Sequence, residues 1–129
     1  MNKLLKIAVK KECEKDLISC LSFKKIKDID SSQYDLFVKA LTGRWHRQHE
    51  DLVNTIYLEN LKDDRFVEPI LNIALEKYTL RPYDDEMEST LRKCVHALKT
   101  IDSEKSNIAL KRLKELKNEN VAIALEMYK

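Results

Sequence analysis

The sequence predicts an all-α chain: a stack of helical hairpins, an α-solenoid of about three helix pairs behind an N-terminal helix. Three observations carry this. Apolar residues recur at helical spacing in one segment after another, as in Leu91, Cys94, Val95, Leu98 and Ile101. Turn signals between these segments leave room only for short connections. Strand signals are missing, because the chain holds one glycine, Gly43, and two prolines, Pro69 and Pro82, and neither Asn-Gly nor Asp-Gly occurs to turn a hairpin of strands.

The first helix is expected over residues 3–21, with Leu4, Leu5, Ala8, Leu17 and Leu21 near one face. Its middle, 10–15, is polar enough to break it. A lysine-rich connector, 24–30, follows. Ser31 or Ser32 is placed to cap the next helix, since a hydroxyl accepts from the orphan backbone donors of a first turn. That helix carries Tyr34, Phe37, Val38 and Leu41 and is expected to stop at Gly43 as a left-handed cap. A helix from near Trp45 to about Leu61 comes next, its buried stripe being Leu52, Val53, Ile56, Tyr57 and Leu61.

Asp63 or Asp64 caps the segment with Phe66, Val67, Ile70, Leu71, Ala74, Leu75 and Tyr78 as its apolar face. Pro69 falls in its opening turns, where a missing N–H costs little. Arg81-Pro82 ends that segment, because the residue before proline avoids helical dihedrals. Asp84 or Asp85 opens the next helix, lined by Met87, Leu91, Cys94, Val95, Leu98 and Ile101. Asp102 or Ser103 then caps a helix with Ile108, Leu110, Leu113 and Leu116 inside. A final helix from about Asn120 carries Val121, Ala124, Leu125 and Tyr128. The sum is about seven helices. An offset of roughly 40 residues superposes Thr55, Leu58, Leu61, Ile70 and Ile73 on Val95, Leu98, Ile101, Leu110 and Leu113.

At 129 residues the chain fits one domain: a capping helix and connector over 1–30, helix pairs over 31–129. Hydrophobic residues at 43% exclude a disordered chain, and charged residues at 36% imply long solvated helix faces. Net charge is only +2, with lysines interleaved among acids; a dedicated nucleic-acid binder shows a larger excess or one basic face. Lys24, Lys25 and Lys27, and Lys111, Arg112, Lys114 and Lys117, have acidic neighbours and no interleaved aromatics, so nucleic acid is not the expected partner. Cys13, Cys20 and Cys94 form no Cys-x-x-Cys pair and read as reduced residues of a cytoplasmic protein. No apolar run approaches the ~20 residues that span a bilayer, so no membrane association is expected. Clustered glycines for a phosphate loop are missing, and no serine sits on a glycine-flanked turn. The chain is therefore expected not to be an enzyme and to need no cofactor.

Residues 91–102 followed by a helix over 103–116 resemble the junction between HEAT repeats. Leu91-Arg92, Ala97-Leu98 and Ile101-Asp102 fill the slots of that pattern. Lys99 and Thr100 stand where a glycine is usual. Over about Trp45 to Tyr128, Trp45-His46, His49-Glu50-Asp51, Leu61-Lys62-Asp63, Tyr83-Asp84-Asp85 and Arg92-Lys93-Cys94 resemble small bacterial HEAT-repeat proteins, among them immunity proteins of contact-dependent inhibition and other polymorphic toxin systems. The resemblance implies a non-catalytic module that binds a cognate toxin, such as a nuclease, and neutralises it by steric occlusion. A general HEAT-type scaffold or adaptor, and a nucleic-acid-binding helical repeat, are the alternatives.

Two clusters are the candidate partner-binding residues: Trp45, His46, His49 and Glu50 at one inter-helix edge, and Tyr83, Asp84, Asp85 and Glu88 at the next. Trp45 and Tyr83 fall at junctions rather than in stripes, which suits aromatic anchors ringed by charge. His46 and His49 share a helix face, yet they lack the His-Glu-x-x-His order and a third ligand, so no metal is expected. Asp84, Asp85, Glu86 and Glu88 favour the positive end of a helix dipole; as a patch they would also meet a basic partner surface.

Overall fold

The computed structural model of the chain describes residues 2–22, 31–75 and 87–128, and all regular structure within them is helical. Eight α-helices are present among the described residues: α1 (Asn2–Lys11), α2 (Glu14–Ser22), α3 (Tyr34–Thr42), α4 (His49–Leu58), α5 (Val67–Leu75), α6 (Met87–Ile101), α7 (Glu104–Lys114) and α8 (Glu119–Glu126). Short 3-10 turns, Ser31–Gln33 and Asp64–Phe66, lead into α3 and α5. None of these helices is long and apolar enough to cross a membrane.

The polar middle of the first segment does break it. Glu12 is left-handed at φ 49°, and the Cys13 N–H reaches back to the Ala8 carbonyl at 3.0 Å, a Schellman ending to α1. The first segment is thus a pair of helices rather than one. The serine cap on α3 is not formed: Gln33 holds the cap position without a side-chain cap bond. Gly43 is extended, φ −69° and ψ 143°, and not left-handed. The helix expected from Trp45 begins only at His49. Asp63 does cap the turn before α5, accepting from the Arg65 N–H at 2.9 Å. Ser103 caps α7 reciprocally: Ser106 N–H donates to Ser103 Oγ at 3.1 Å, and Ser103 N–H donates to Ser106 Oγ at 2.8 Å. The connector 24–30, Tyr78, Arg81, Pro82 and the expected caps Asp84 and Asp85 lie outside the described residues.

One apolar core joins all eight helices, from Leu5 and Ala8 in α1 to Val121 and Ala124 in α8. Of the stripes expected for α3, α5 and α6, Phe37, Leu41, Ile70, Ala74, Leu91, Cys94 and Leu98 are buried, and Tyr34, Val38 and Leu75 are partly buried. In α7 the inward face is Ser106, Ala109, Leu110 and Leu113; Ile108 is 64% exposed, and Leu116 is also exposed. The sequence pattern places both inside. The small side chains of Ser106 and Ala109 sit a turn apart from Leu110 and Leu113 on one face, and Ile108 points away from it. Tyr57 and Tyr128, expected in buried stripes, are 38% and 41% exposed.

The helices pack in a regular order. α3 touches α1, α5 touches α3 and α7 touches α5; α6 touches α4 and α8 touches α6. Side-chain contacts give directions. Glu50 near the start of α4 meets Ser89 and Lys93 in α6, and Tyr57 near its end meets His96, so α4 and α6 run parallel. Arg92 meets Asn120 at the start of α8, and His96 meets Tyr128 just beyond its end, so α6 and α8 run parallel too. Asp35 and Tyr34 at the start of α3 meet Arg65 and Phe66 in the turn leading into α5. α6 is central, touching α4, α5, α7 and α8.

Candidate protein-interaction surface

The loop from Gly43 to Gln48 is held by side chains rather than by helix. His46 is buried, 3% exposed. Its Nδ1 accepts from the Gln48 N–H at 2.9 Å, so Nε2 carries the proton and donates to the Ala40 carbonyl at 2.6 Å. Burial lowers the His46 pKa below its usual 6.5, outweighing the opposite pulls of the Ala40 carbonyl and Glu14. His49, 2% exposed, places Nε2 2.7 Å from the Gly43 carbonyl. The two imidazoles stack, centroids 4.4 Å apart, with the Trp45 indole edge-on to His46 at 4.6 Å. Glu14 at the start of α2 closes the loop, accepting from the Arg47 N–H and from Gln48 Nε2. These bonds give the Arg47 and Gln48 N–H groups partners outside a helix, and α4 begins at His49.

His46 and His49 therefore shape this edge from beneath and do not present rings to a partner. Trp45 is half-buried against the core. Both Nε2 atoms face carbonyl oxygens, and no cluster of three or more metal-ligating side chains exists among the described residues.

Glu50 ties this edge to the second expected cluster. Its carboxylate accepts from Ser89 Oγ and from Lys93 Nζ, both at 2.7 Å. Ser89 is the neighbour of Glu88 in α6, so the structure brings the α4 start and the α6 start side by side. Tyr83, Asp84 and Asp85, and the side chain of Glu88, lie outside the described residues.

A second set of residues lines up across three helices, and the sequence reading did not assign it. The Tyr57 ring lies 5.2 Å from His96, and His96 lies 5.6 Å from Tyr128. His96 Nδ1 and the Tyr128 hydroxyl share a hydrogen bond of 2.7 Å. Lys99 stands over the Tyr128 ring at 5.4 Å. Burial, then the nearby Arg92, hold the His96 pKa below 6.5; burial, then Tyr57, push the Tyr128 phenol upward. The row keeps its edges in solvent and its rings fixed by one another. Rigid, half-exposed aromatics with polar tips supply contact area at small entropy cost, which is the chemistry of protein recognition. One signal could have found it: Tyr57 and His96 are separated by nearly the same offset that superposes the buried positions. A pocket of about 390 Å³ between the end of α7 and α8, lined by Val121, Ala122, Leu125, Lys114 and Lys117, lies apart from the row.

No protein-family model, curated protein or solved structure matches the chain.

Proposed function

We propose that the helices form a HEAT-like stack of hairpins and that this stack is a non-catalytic protein-binding module. The parallel packing of α4, α6 and α8 supports the stacked arrangement, because successive hairpins laid side by side must repeat their direction. So does the placement of Asp63 and Ser103, each capping the helix or turn directly after it, at the offset of roughly 40 residues that relates the buried positions. The observation that carries the binding role is the half-exposed row Tyr57–His96–Tyr128, which crosses α4, α6 and the end of α8. It is preformed, so a partner meets it with little loss of conformational freedom.

The partner class comes from the resemblance of the sequence: a cognate toxin domain, covered rather than modified, with the complex forming in the cytoplasm. The test is co-expression with the toxin encoded beside this chain's gene. Protection of the cells and co-purification of the pair are expected. Y57A with Y128A is expected to weaken the complex by about 2 kcal/mol, or roughly thirtyfold, as loss of two central aromatics does. Failure of the wild-type chain to bind or protect refutes the reading.

A further inference from the structure

We propose that the half-buried stripe of α6 formed by Arg92, His96 and Lys99, bordered by Tyr57 and Tyr128, docks an acidic polypeptide segment. This rests on the protein-binding reading above and names the partner's chemistry.

The stripe obeys helix geometry: positions 92, 96 and 99 share one face, flanking the buried face of Leu91, Cys94, Val95 and Leu98. Its positive charges are held in place by neutral groups. Arg92 donates through Nη1 to Asn120 Oδ1 at 2.6 Å, and Lys99 rests over the Tyr128 ring. Neither has a carboxylate within salt-bridge distance among the described residues. Lys93 beside them differs, because Glu50 already answers its charge at 2.7 Å. Arg92 spends one donor on Asn120 and retains the others of its guanidinium fork for an incoming carboxylate. Two oriented cations with no counter-charge among the described residues, flanked by tyrosine hydroxyls, complement carboxylates.

Spacing sharpens this. Seven residues of helix put Arg92 and Lys99 about 10 Å apart along the axis. A polyproline-II segment has three residues per turn and rises about 3.1 Å per residue, so carboxylates in a Glu-x-x-Glu pattern share a face about 9 Å apart and reach both cations. The rings argue against a nucleic acid as the occupant. Single strands bind by stacking bases on open aromatic faces, and here His96 sits between Tyr57 and Tyr128 while Lys99 covers the Tyr128 ring. Another basic face, Lys6, Lys10 and Lys11 on α1, has no ring beside it among the described contacts and serves as the internal control.

The experiment titrates the full chain with fluorescent poly-L-glutamate and, separately, with single-stranded oligothymidylate. R92E with K99E is expected to weaken polyglutamate binding by about tenfold or more, and the neutral R92Q with K99Q by about threefold. K6E with K10E is expected to change it less than about twofold. Equal loss in the α1 and α6 variants would overturn the proposal, since any basic patch would then serve. Oligothymidylate binding tighter than polyglutamate and lost with R92Q/K99Q would overturn it in favour of nucleic acid. If the cognate toxin binds wild type and R92E/K99E equally well, the α6 stripe is wrong while the module reading stands; if it binds neither, the module reading itself fails.

Discussion

Replacing Gly43 by alanine sets two effects of opposite sign against each other. The backbone favours the change. Gly43 sits at φ −69°, ψ 143°, open to any residue, and removing glycine's freedom from the unfolded chain stabilises by about 0.4–1 kcal/mol. The indole opposes it. A Cβ at position 43 would stand 2.4 Å from Trp45 Nε1 and 3.0 Å from its Cδ1, about 1 Å inside ordinary contact. The ring must leave, giving up its edge contact with His46 and its packing on the core. Overpacking costs about 1–3 kcal/mol and an aromatic pair about 0.5–1.5, so G43A should be less stable by about 1–2 kcal/mol. Trp45 is the single tryptophan, so urea unfolding monitored by intrinsic fluorescence reads stability and ring position together. A red-shifted folded emission with a lowered midpoint is expected. In a W45A background the same substitution should become neutral or stabilising, the coupling expected of two residues in contact. A more stable G43A with unchanged emission would refute the steric account.

The geometry sets three further outcomes. Because the folded His46 pKa lies below 6.5, the unfolded chain takes up the proton first as pH falls; its contribution is complete above 6.5 and is lost below it, at up to about 1.4 kcal/mol per pH unit. H46Q should flatten the stability profile between about pH 7.5 and 5.5 without abolishing the slope, since His96 is lowered in the same sense; an unchanged profile contradicts the assignment. Leu98 is fully buried in the central helix, and L98A should cost about 2–5 kcal/mol in chemical denaturation. S103A removes one half of the α7 capping box and should cost about 1 kcal/mol, measurable as a lowered midpoint with the same m-value.

Much of the helical framework could be read from the chain, because a single buried stripe per helix writes itself into the spacing of Phe37, Leu41, Ile70, Leu91 and Leu98. Ile108 and Leu116 misled for a specific reason. The inner face of α7 is partly made of Ser106 and Ala109, whose small side chains carry no apolar signal. The loop before α4 misled because its bonds come from far along the chain, above all from Glu14. The partners of Glu50, Ser89 and Lys93, became visible only in three dimensions. The row Tyr57–His96–Tyr128 depends on three helices lying parallel in register, which no local pattern encodes.

The corners between helices carry a last consequence. Glu12, Asn60, Asp102 and Lys117 are non-glycine residues at positive φ, each at the end of a helix where glycine is the easy choice. Ordinary side chains there cost about 1–2 kcal/mol, less for Asn and Asp. In return the side chains provide stiffness: a Cβ narrows the range through which a corner can swing. Asn60 joins α4 to the turn before α5, and Asp102 and Lys117 bracket α7, so slack at any of them would pass directly into the distances from Tyr57 to His96 to Tyr128. Glycine at these joints would ease local strain and loosen the row Tyr57–His96–Tyr128 in the same stroke.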